Sequence, residues 1–172
     1  MKRAVYLGVV LLFGVILTGC GGGGSSKSGT IVETPQSSTV TLADSLTLTL
    51  KVNTTQVAVG GSVNSEVILS NNTSAAITTT YYGYGTNFLA FPAGGVMVTN
   101  SAGQTMATNG TVQLALPLPA PMPITVTMQP GETMPVSVTY TFIKADTYTM
   151  LAEVSPTLGA PETTGSIPIK VP

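Results

Sequence analysis

Few side chains in this sequence could do chemistry, and those few are widely spaced. The chain has no histidine and one cysteine, Cys20, so imidazole acid–base catalysis and histidine metal ligation are unavailable. A Ser–Lys dyad is formally possible with Lys51, Lys144 or Lys170, but such lysines are usually solvated side chains at strand edges. The carboxylates form no DxD or ExxE pair, and a two-carboxylate site would have to be assembled by folding. They are Glu33, Asp44, Glu66, Glu132, Asp146, Glu153 and Glu162. The sequence predicts no enzyme, no metal site and no cofactor.

The residues before Cys20 suggest a different role for its thiol. Lys2 and Arg3 precede a mostly apolar stretch over residues 4–17, and Leu17-Thr18-Gly19 leads into the cysteine. This is the layout of an export signal, and the stretch is shorter than the about 20 residues that span a membrane. The segment resembles the lipobox of bacterial lipoproteins. The resemblance implies a signal peptide over residues 1–19, a lipid on Cys20 and a membrane-anchored mature protein.

The same resemblance implies a location in the cell envelope. One acyl chain anchors a protein only marginally, and this family usually carries acyl chains on both the sulfur and the new N-terminus. The residue after the cysteine is Gly21, not the aspartate that favours retention in the inner membrane. If the organism has two membranes, the outer membrane is therefore the expected location.

The charge balance argues against two classes of partner. Removing Lys2 and Arg3 with the signal leaves four of the six basic residues against seven acidic ones, a formal charge of about −3. No basic patch exists in the sequence. We therefore expect neither nucleic-acid binding nor attachment to an anionic lipid surface through overall charge.

The pattern of the chain changes near residue 39. Residues 20–38 are rich in Gly and Ser and predict a tether that spans roughly 20–25 Å as a flexible coil. Beyond them, apolar and polar residues alternate with period two, first at 46–52 and then at 63–69, 124–128, 136–142, 148–154 and 167–171. Turn signals such as Gly60-Gly61 and Pro130-Gly131 separate these runs. Residues 39–172 thus predict one all-β domain, an antiparallel β-sandwich.

Two features refine this prediction. Asp146-Thr147-Tyr148 resembles the tyrosine corner of immunoglobulin-like domains, in which the hydroxyl bonds to upstream backbone. Tyr148 could equally be an ordinary inward-facing aromatic residue. Met150 stands where antibody domains have a disulfide cysteine, so this core is expected to hold by packing alone. The fold class predicted is an immunoglobulin-like sandwich.

The order of four segments is similar to the BsuPI family of bacterial intracellular proteinase inhibitors. They are VAVGGSVNSEVILSNNTS (57–74), VMVTNSAGQTM (96–106), MQPGETMPVSVTYTF (128–142) and DTYTMLAEV (146–154). The similarity covers about residues 46–155. Two departures are that the family's tryptophans are missing and that Asn100 or Ser101 replaces its hairpin aspartate. The resemblance implies the fold and, as an alternative function, inhibition of a proteinase outside the cytoplasm.

An aromatic segment at residues 81–91 (YYGYGTNFLAF) holds half of the ten aromatic residues. If exposed, Tyr81, Tyr82 and Tyr84 would offer a rigid amphipathic surface to a protein partner or a glycan. The other interpretation is that alternate rings fill the core, as Phe and Tyr usually do. The sequence favours the core and leaves the contact surface as a hypothesis.

A proline segment at residues 116–123 (LPLPAPMP) has proline at every second position. Since proline cannot donate to a β-ladder, this segment cannot be a central strand. It is either an edge that blocks aggregation or an extended ligand for a partner. The candidate binding residues here are Pro117, Pro119 and Pro121.

These observations together predict a lipid-anchored, non-catalytic immunoglobulin-like module of the cell envelope that acts by protein–protein contact. A proteinase inhibitor of BsuPI type is the alternative. An enzyme with an assembled carboxylate site ranks last.

Overall fold

The computed structural model describes residues 34–83, 95–114, 120–157 and 160–172. All of them lie in one compact unit, Ile31–Pro172. Within these ranges the chain forms strands and no α-helix. The strands are β1 (Gln36–Thr41), β2 (Thr47–Val52), β3 (Ser62–Ser70), β4 (Ile77–Gly83), β5 (Val96–Thr99), β6 (Met122–Met128), β7 (Thr133–Thr141), β8 (Asp146–Thr157), β9 (Ala160–Thr163) and β10 (Ile167–Val171).

Two antiparallel sheets make up the sandwich. One has the order β1-β2-β3-β7, and the other has the order β10-β8-β5 with β9 also paired to β8. A separate two-stranded ribbon is formed by β4 and β6. After β2 the chain crosses to the second sheet, where Gln56 forms a parallel bridge with Lys170. The predicted all-β, immunoglobulin-like sandwich is therefore the observed fold.

The core lies between the sheets, because alternate residues of each strand point inward. From the first sheet, Leu48, Leu50, Val63, Val67 and Leu69 are each fully buried. The second sheet contributes Val96, Val98, Tyr148, Met150, Ala152, Val154, Ile167, Ile169 and Val171 to the same cluster. The period-two pattern of the sequence is this inward-facing set.

The predicted tyrosine corner is confirmed. The hydroxyl of Tyr148 donates to the carbonyl oxygen of Lys144 at 3.1 Å, which bridges the start of β8 to the loop before it. The ring of Tyr148 packs on Phe142 with centroids 4.6 Å apart. Met150, at the position of the antibody cysteine, is fully buried.

The first strand begins earlier than the predicted domain boundary. β1 starts at Gln36, so Gln36, Ser37 and Ser38 belong to the sheet and not to the tether. Their ladder partners on β2 are Val52, Lys51 and Leu50. These polar residues extend an existing ladder, a possibility that composition alone does not reveal.

Four prolines lie in strands with a single ladder partner in the described ranges, and two of them, Pro161 in β9 and Pro168 in β10, are in strands that pair with β8. Pro123 lies in β6, which pairs with β4, and Pro135 lies in β7, which pairs with β3. Both strands end their sheet paths, where a residue without an N–H is tolerated.

No helix in the described ranges is long and apolar enough to cross a membrane.

Candidate interaction site

The β4–β6 ribbon joins the two segments that the sequence singles out. β4 ends in the aromatic segment and β6 begins in the proline segment. Their antiparallel register places Tyr82 opposite Pro123 and Gly83 opposite Met122. Residues about 40 positions apart in the chain thus become neighbours, since residues directly opposite on antiparallel strands have Cβ atoms about 5 Å apart.

Tyr81 and Tyr82 take opposite faces of β4, as consecutive residues of a strand must. Tyr81 is 0% exposed, whereas Tyr82 is half-buried. Tyr81 is therefore a core residue and presents no surface to a partner. This corrects its assignment as a contact residue and agrees with the core interpretation of alternate rings.

A part-buried hydrogen bond ties Tyr81 to the turn between β1 and β2. Its hydroxyl donates to Asp44 Oδ2 at 2.6 Å, and the backbone N–H of Leu46 donates to Asp44 Oδ1 at 3.0 Å. Burial first, and then the bond to Asp44, raise the pKa of Tyr81 far above its ordinary value. The phenol stays protonated at neutral pH and donates to the carboxylate.

A second carboxylate reaches the same turn from β9. Glu162 Oε2 accepts the backbone N–H of Ala43 at 2.9 Å, and the charge of Glu162 contributes to the raised pKa of Tyr81. The turn between β1 and β2 is thereby bonded to both β4 and β9. These hydrogen bonds fix β4 through the inward face that carries Tyr81. They thereby hold Tyr82, on the opposite face of β4, in place.

The exposed end of the ribbon combines one aromatic ring with prolines. We call Tyr82 and Pro123, which lie opposite each other on the outer face, together with the neighbouring Pro121, the ribbon surface. Pro123 is exposed and Pro121 is half-buried, whereas Met122, opposite Gly83, is 54% exposed on the face that carries Tyr81. Farther along the same outer face, Thr78 and Thr127 share a hydroxyl hydrogen bond of 3.0 Å. The ribbon surface therefore has an amphipathic end and a polar continuation.

The remaining predicted site residues fall outside the described ranges: Cys20, Tyr84, Pro117 and Pro119. The sequence pattern does not single out Asp44 as a site residue, because its partner Tyr81 is 37 residues away. Met122 lies inside the proline segment, and its register opposite Gly83 places it on the face of Tyr81 and not with Tyr82.

Lys51, on β2, forms an exposed ion pair with Glu66 on β3. Lys51 Nζ lies 3.6 Å from Glu66 Oε2, and both side chains are about half exposed, at 53% and 41%. Such pairs contribute little, about 0–1 kcal/mol. In the described part of the chain, no three His, Cys, Asp or Glu side chains are grouped to hold a metal ion.

Comparisons with known proteins find structural likeness only. No family model matches the chain, and no curated protein matches it. Solved structures that match include β-glucosidase from Listeria innocua in complex with gluconolactone, at 11% identity and a TM-score of 0.35, covering 81% of this chain and 16% of that one. Another structure of the β-glucosidase from Listeria innocua matches at 13% identity and a TM-score of 0.36, covering 71% and 15%. This chain thus spans a small part of those enzymes, and the likeness carries no argument about activity.

Proposed function

We propose that this protein is a lipid-anchored, non-catalytic immunoglobulin-like module of the cell envelope that binds another protein through the ribbon surface. The observation that carries the proposal is the pairing of Tyr82 with Pro123 across β4 and β6. Two sequence segments, each a candidate on its own, meet at one end of one ribbon.

The residue types suit a protein contact. Tyrosine supplies a large amphipathic area with few rotatable bonds, and it is enriched among the residues that dominate binding energy. Proline loses little conformational freedom on binding because its φ is already fixed. The part-buried hydrogen bond between Tyr81 and Asp44 holds β4 before a partner arrives, which lowers the entropic cost of association.

The predicted lipid anchor supports the proposed location in the cell envelope. The lipobox resemblance of Leu17-Thr18-Gly19-Cys20 favours lipidation of Cys20, and with it residence at a membrane surface. A partner in the same membrane or in the adjacent envelope then meets the module at a raised effective concentration, so a modest contact area is sufficient.

In-cell photo-cross-linking tests the ribbon surface. A photoreactive amino acid at position 82 is expected to give a discrete protein adduct in membranes, identifiable by mass spectrometry. The matched control carries the same group at Thr139, an exposed residue on the outer face of the four-stranded sheet. If position 139 gives the same adduct, or position 82 gives none in folded and anchored protein, the ribbon surface is not the contact.

Two substitutions then test the energetics with the identified partner. Tyr82→Ala is expected to reduce co-purification strongly, whereas Thr125→Ala, on the same outer face of the ribbon, is expected to leave it unchanged. The alternative function is decided with the same protein, because a proteinase inhibitor would show dose-dependent inhibition of an envelope proteinase.

A further inference from the structure

The two ends of the sandwich differ in charge. We call the end where β1 begins and β2 stops the tether end, because the predicted tether enters the domain there at Gln36. The opposite end, with the turn between β1 and β2, is the far end. Strand register, together with the turns that join the strands, assigns each charged side chain in the described ranges to one of these ends.

All three lysines of the described ranges lie at the tether end. Lys51 is opposite Ser37 on β1, at the end of β2. Lys144 lies in the loop before β8, and Lys170 lies at the end of β10, where its carbonyl accepts the N–H of Val57 at 3.1 Å. Glu66 and Asp146 share this end, as the ladder partners of Lys51 and Val171 show. These three lysines and two carboxylates together give the tether end a formal charge of +1.

The far end collects four carboxylates and no lysine of the described ranges. Asp44 lies in its first turn, and Glu162 accepts the N–H of Ala43 in that same turn. Glu153 pairs with Thr163 beside Glu162. Glu132 lies in the turn before β7, where its carbonyl accepts the N–H of Asn71. The far end therefore carries a formal charge of −4, while the tether end is near neutral.

Apolar loop tips are exposed at the tether end. Val59 is 52% exposed and Ile143 is 43% exposed. Their loops are bonded to each other, since the N–H of Gly60 donates to the carbonyl of Phe142 at 2.7 Å. The exposed lysine Lys144 follows Ile143 directly. Apolar tips flanked by lysine are the composition of an interfacial membrane contact.

We propose that the tether end docks on an anionic lipid bilayer, with Val59 and Ile143 at the headgroup boundary and the far end held away from the membrane. This inference rests on the proposed lipid anchor. A Gly/Ser-rich coil between Cys20 and Gln36 would span on the order of 20 Å, so it keeps this end near the lipid. The negative surface potential of anionic lipids attracts the lysines and repels the four carboxylates of the far end. Overall charge does not attach the domain, but its distribution orients a domain that is already anchored.

Site-directed fluorescence on the full-length lipidated protein tests the orientation. Once Cys20 carries lipid, a cysteine introduced by Val59→Cys is the only free thiol and takes an environment-sensitive dye. Ser74→Cys, at an exposed far-end loop position, is the matched control. In vesicles of phosphatidylethanolamine and phosphatidylglycerol, we expect a blue shift at position 59 with quenching by lipid-borne spin labels. The dye at position 74 is expected to keep its aqueous spectrum.

The outcomes separate the docking from the anchor. Equal quenching at positions 59 and 74, or none at either, in protein whose Cys20 is shown by mass spectrometry to carry lipid overturns the docked orientation alone. Protein without lipid on Cys20 overturns the anchor and the orientation together. Lys144→Glu in the Val59→Cys background is expected to weaken quenching in the anionic vesicles and not in phosphatidylcholine vesicles. No change in either would remove the role of charge, and Ile143→Cys gives a second position should the Val59 variant fold poorly.

Discussion

Asn71 shows how much of this fold depends on a single polar side chain. It is fully buried at the end of β3, and its Nδ2 donates to the carbonyls of Ala75 at 2.8 Å and Met128 at 2.9 Å. Its Oδ1 accepts the N–H and the hydroxyl of Thr73. One amide thus joins β3, the following loop and β6, and all of its hydrogen-bonding capacity is used.

Asn71→Ala is expected to lower the free energy of unfolding by about 2–4 kcal/mol, because the buried carbonyl of Met128, the carbonyl of Ala75 and the loop at Thr73 lose their partner. Chemical denaturation of the protein measures the effect. The control is Asn72→Ala, since Asn72 is exposed and makes one side-chain bond, to Thr47 Oγ1 at 3.1 Å. Equal losses in the two variants would contradict the assignment of Asn71 as the joining residue.

Tyrosines set the response of the fold to alkaline pH. The hydroxyl of Tyr140 donates to the carbonyl of Val96 at 2.8 Å, and burial raises its pKa to about 12. The pKa values of Tyr81 and Tyr148 are raised as well, chiefly by burial. In the unfolded chain these phenols titrate near 10.

Stability is therefore expected to be intact below pH 10 and to fall as pH rises from about 10 toward 12. Over that range the unfolded chain releases phenol protons that the folded chain keeps, so rising pH favours unfolding. Tyrosinate absorbance and circular dichroism, followed together, should show late phenol titration coincident with unfolding. Tyr140→Phe should flatten the loss with pH. Complete phenol titration near pH 10 with the fold intact would contradict this prediction.

At the scale of elements, the sequence pattern predicted the strands themselves better than it predicted which strands pair. Period-two alternation located the inward faces of β2, β3, β7, β8 and β10, because burial of one face is what that pattern encodes. The turn at Pro130-Gly131 is also confirmed, with Gly131 at φ +76° and a bond from Glu132 N to Gln129 O. The β4–β6 pairing was not predictable, since alternation shows which face is buried and not which strand lies alongside. The candidate site depends on that pairing, so the sequence supplied its residue types but not its geometry.

Two turn glycines make contrasting demands on the chain. Gly110 has a φ of +80°, and a Cβ added there would overlap the carbonyl oxygen of Thr141. Gly103 has a φ of +77° with nothing within 4 Å. Any other residue at either position would have to adopt an unfavourable positive φ. Only at Gly110 would its side chain also lack space.

Gly103→Ala is expected to cost about 1 kcal/mol of unfolding free energy, from the positive φ alone. Gly110→Ala is expected to cost about 2–4 kcal/mol, because the loop must also move away from the end of β7. Thermal and chemical denaturation of the two variants side by side isolates the effect of the close approach. If their costs are equal, the contact at Gly110 carries no energy.

At the scale of the whole molecule, the net charge does not show that folding places the carboxylates and the lysines at different ends. Residues 20–172 have a formal charge of about −3, which argues against binding to an anionic surface. Folding places four carboxylates at the far end and the three described lysines at the tether end. The pattern of residues along the chain does not show this, since Asp44 and Lys51 are close in sequence but belong to opposite ends of β2.

The proposed lipid anchor determines whether this separation of charge faces a membrane. Cys20→Ser is expected to move the protein from the membrane fraction to the aqueous fraction, because without the thiol no lipid is attached and overall charge does not hold the domain. Membrane fractionation with aqueous extraction measures this, and mass spectrometry of the N-terminal peptide shows whether lipid is present. Ser28→Ala is the matched control, since it changes the tether and keeps the thiol. A Cys20→Ser protein that still resists aqueous extraction would show that something other than the sulfur holds it. The tether end with Val59 and Ile143 would then be the first surface to examine, because its exposed apolar tips need no covalent lipid to contact a bilayer.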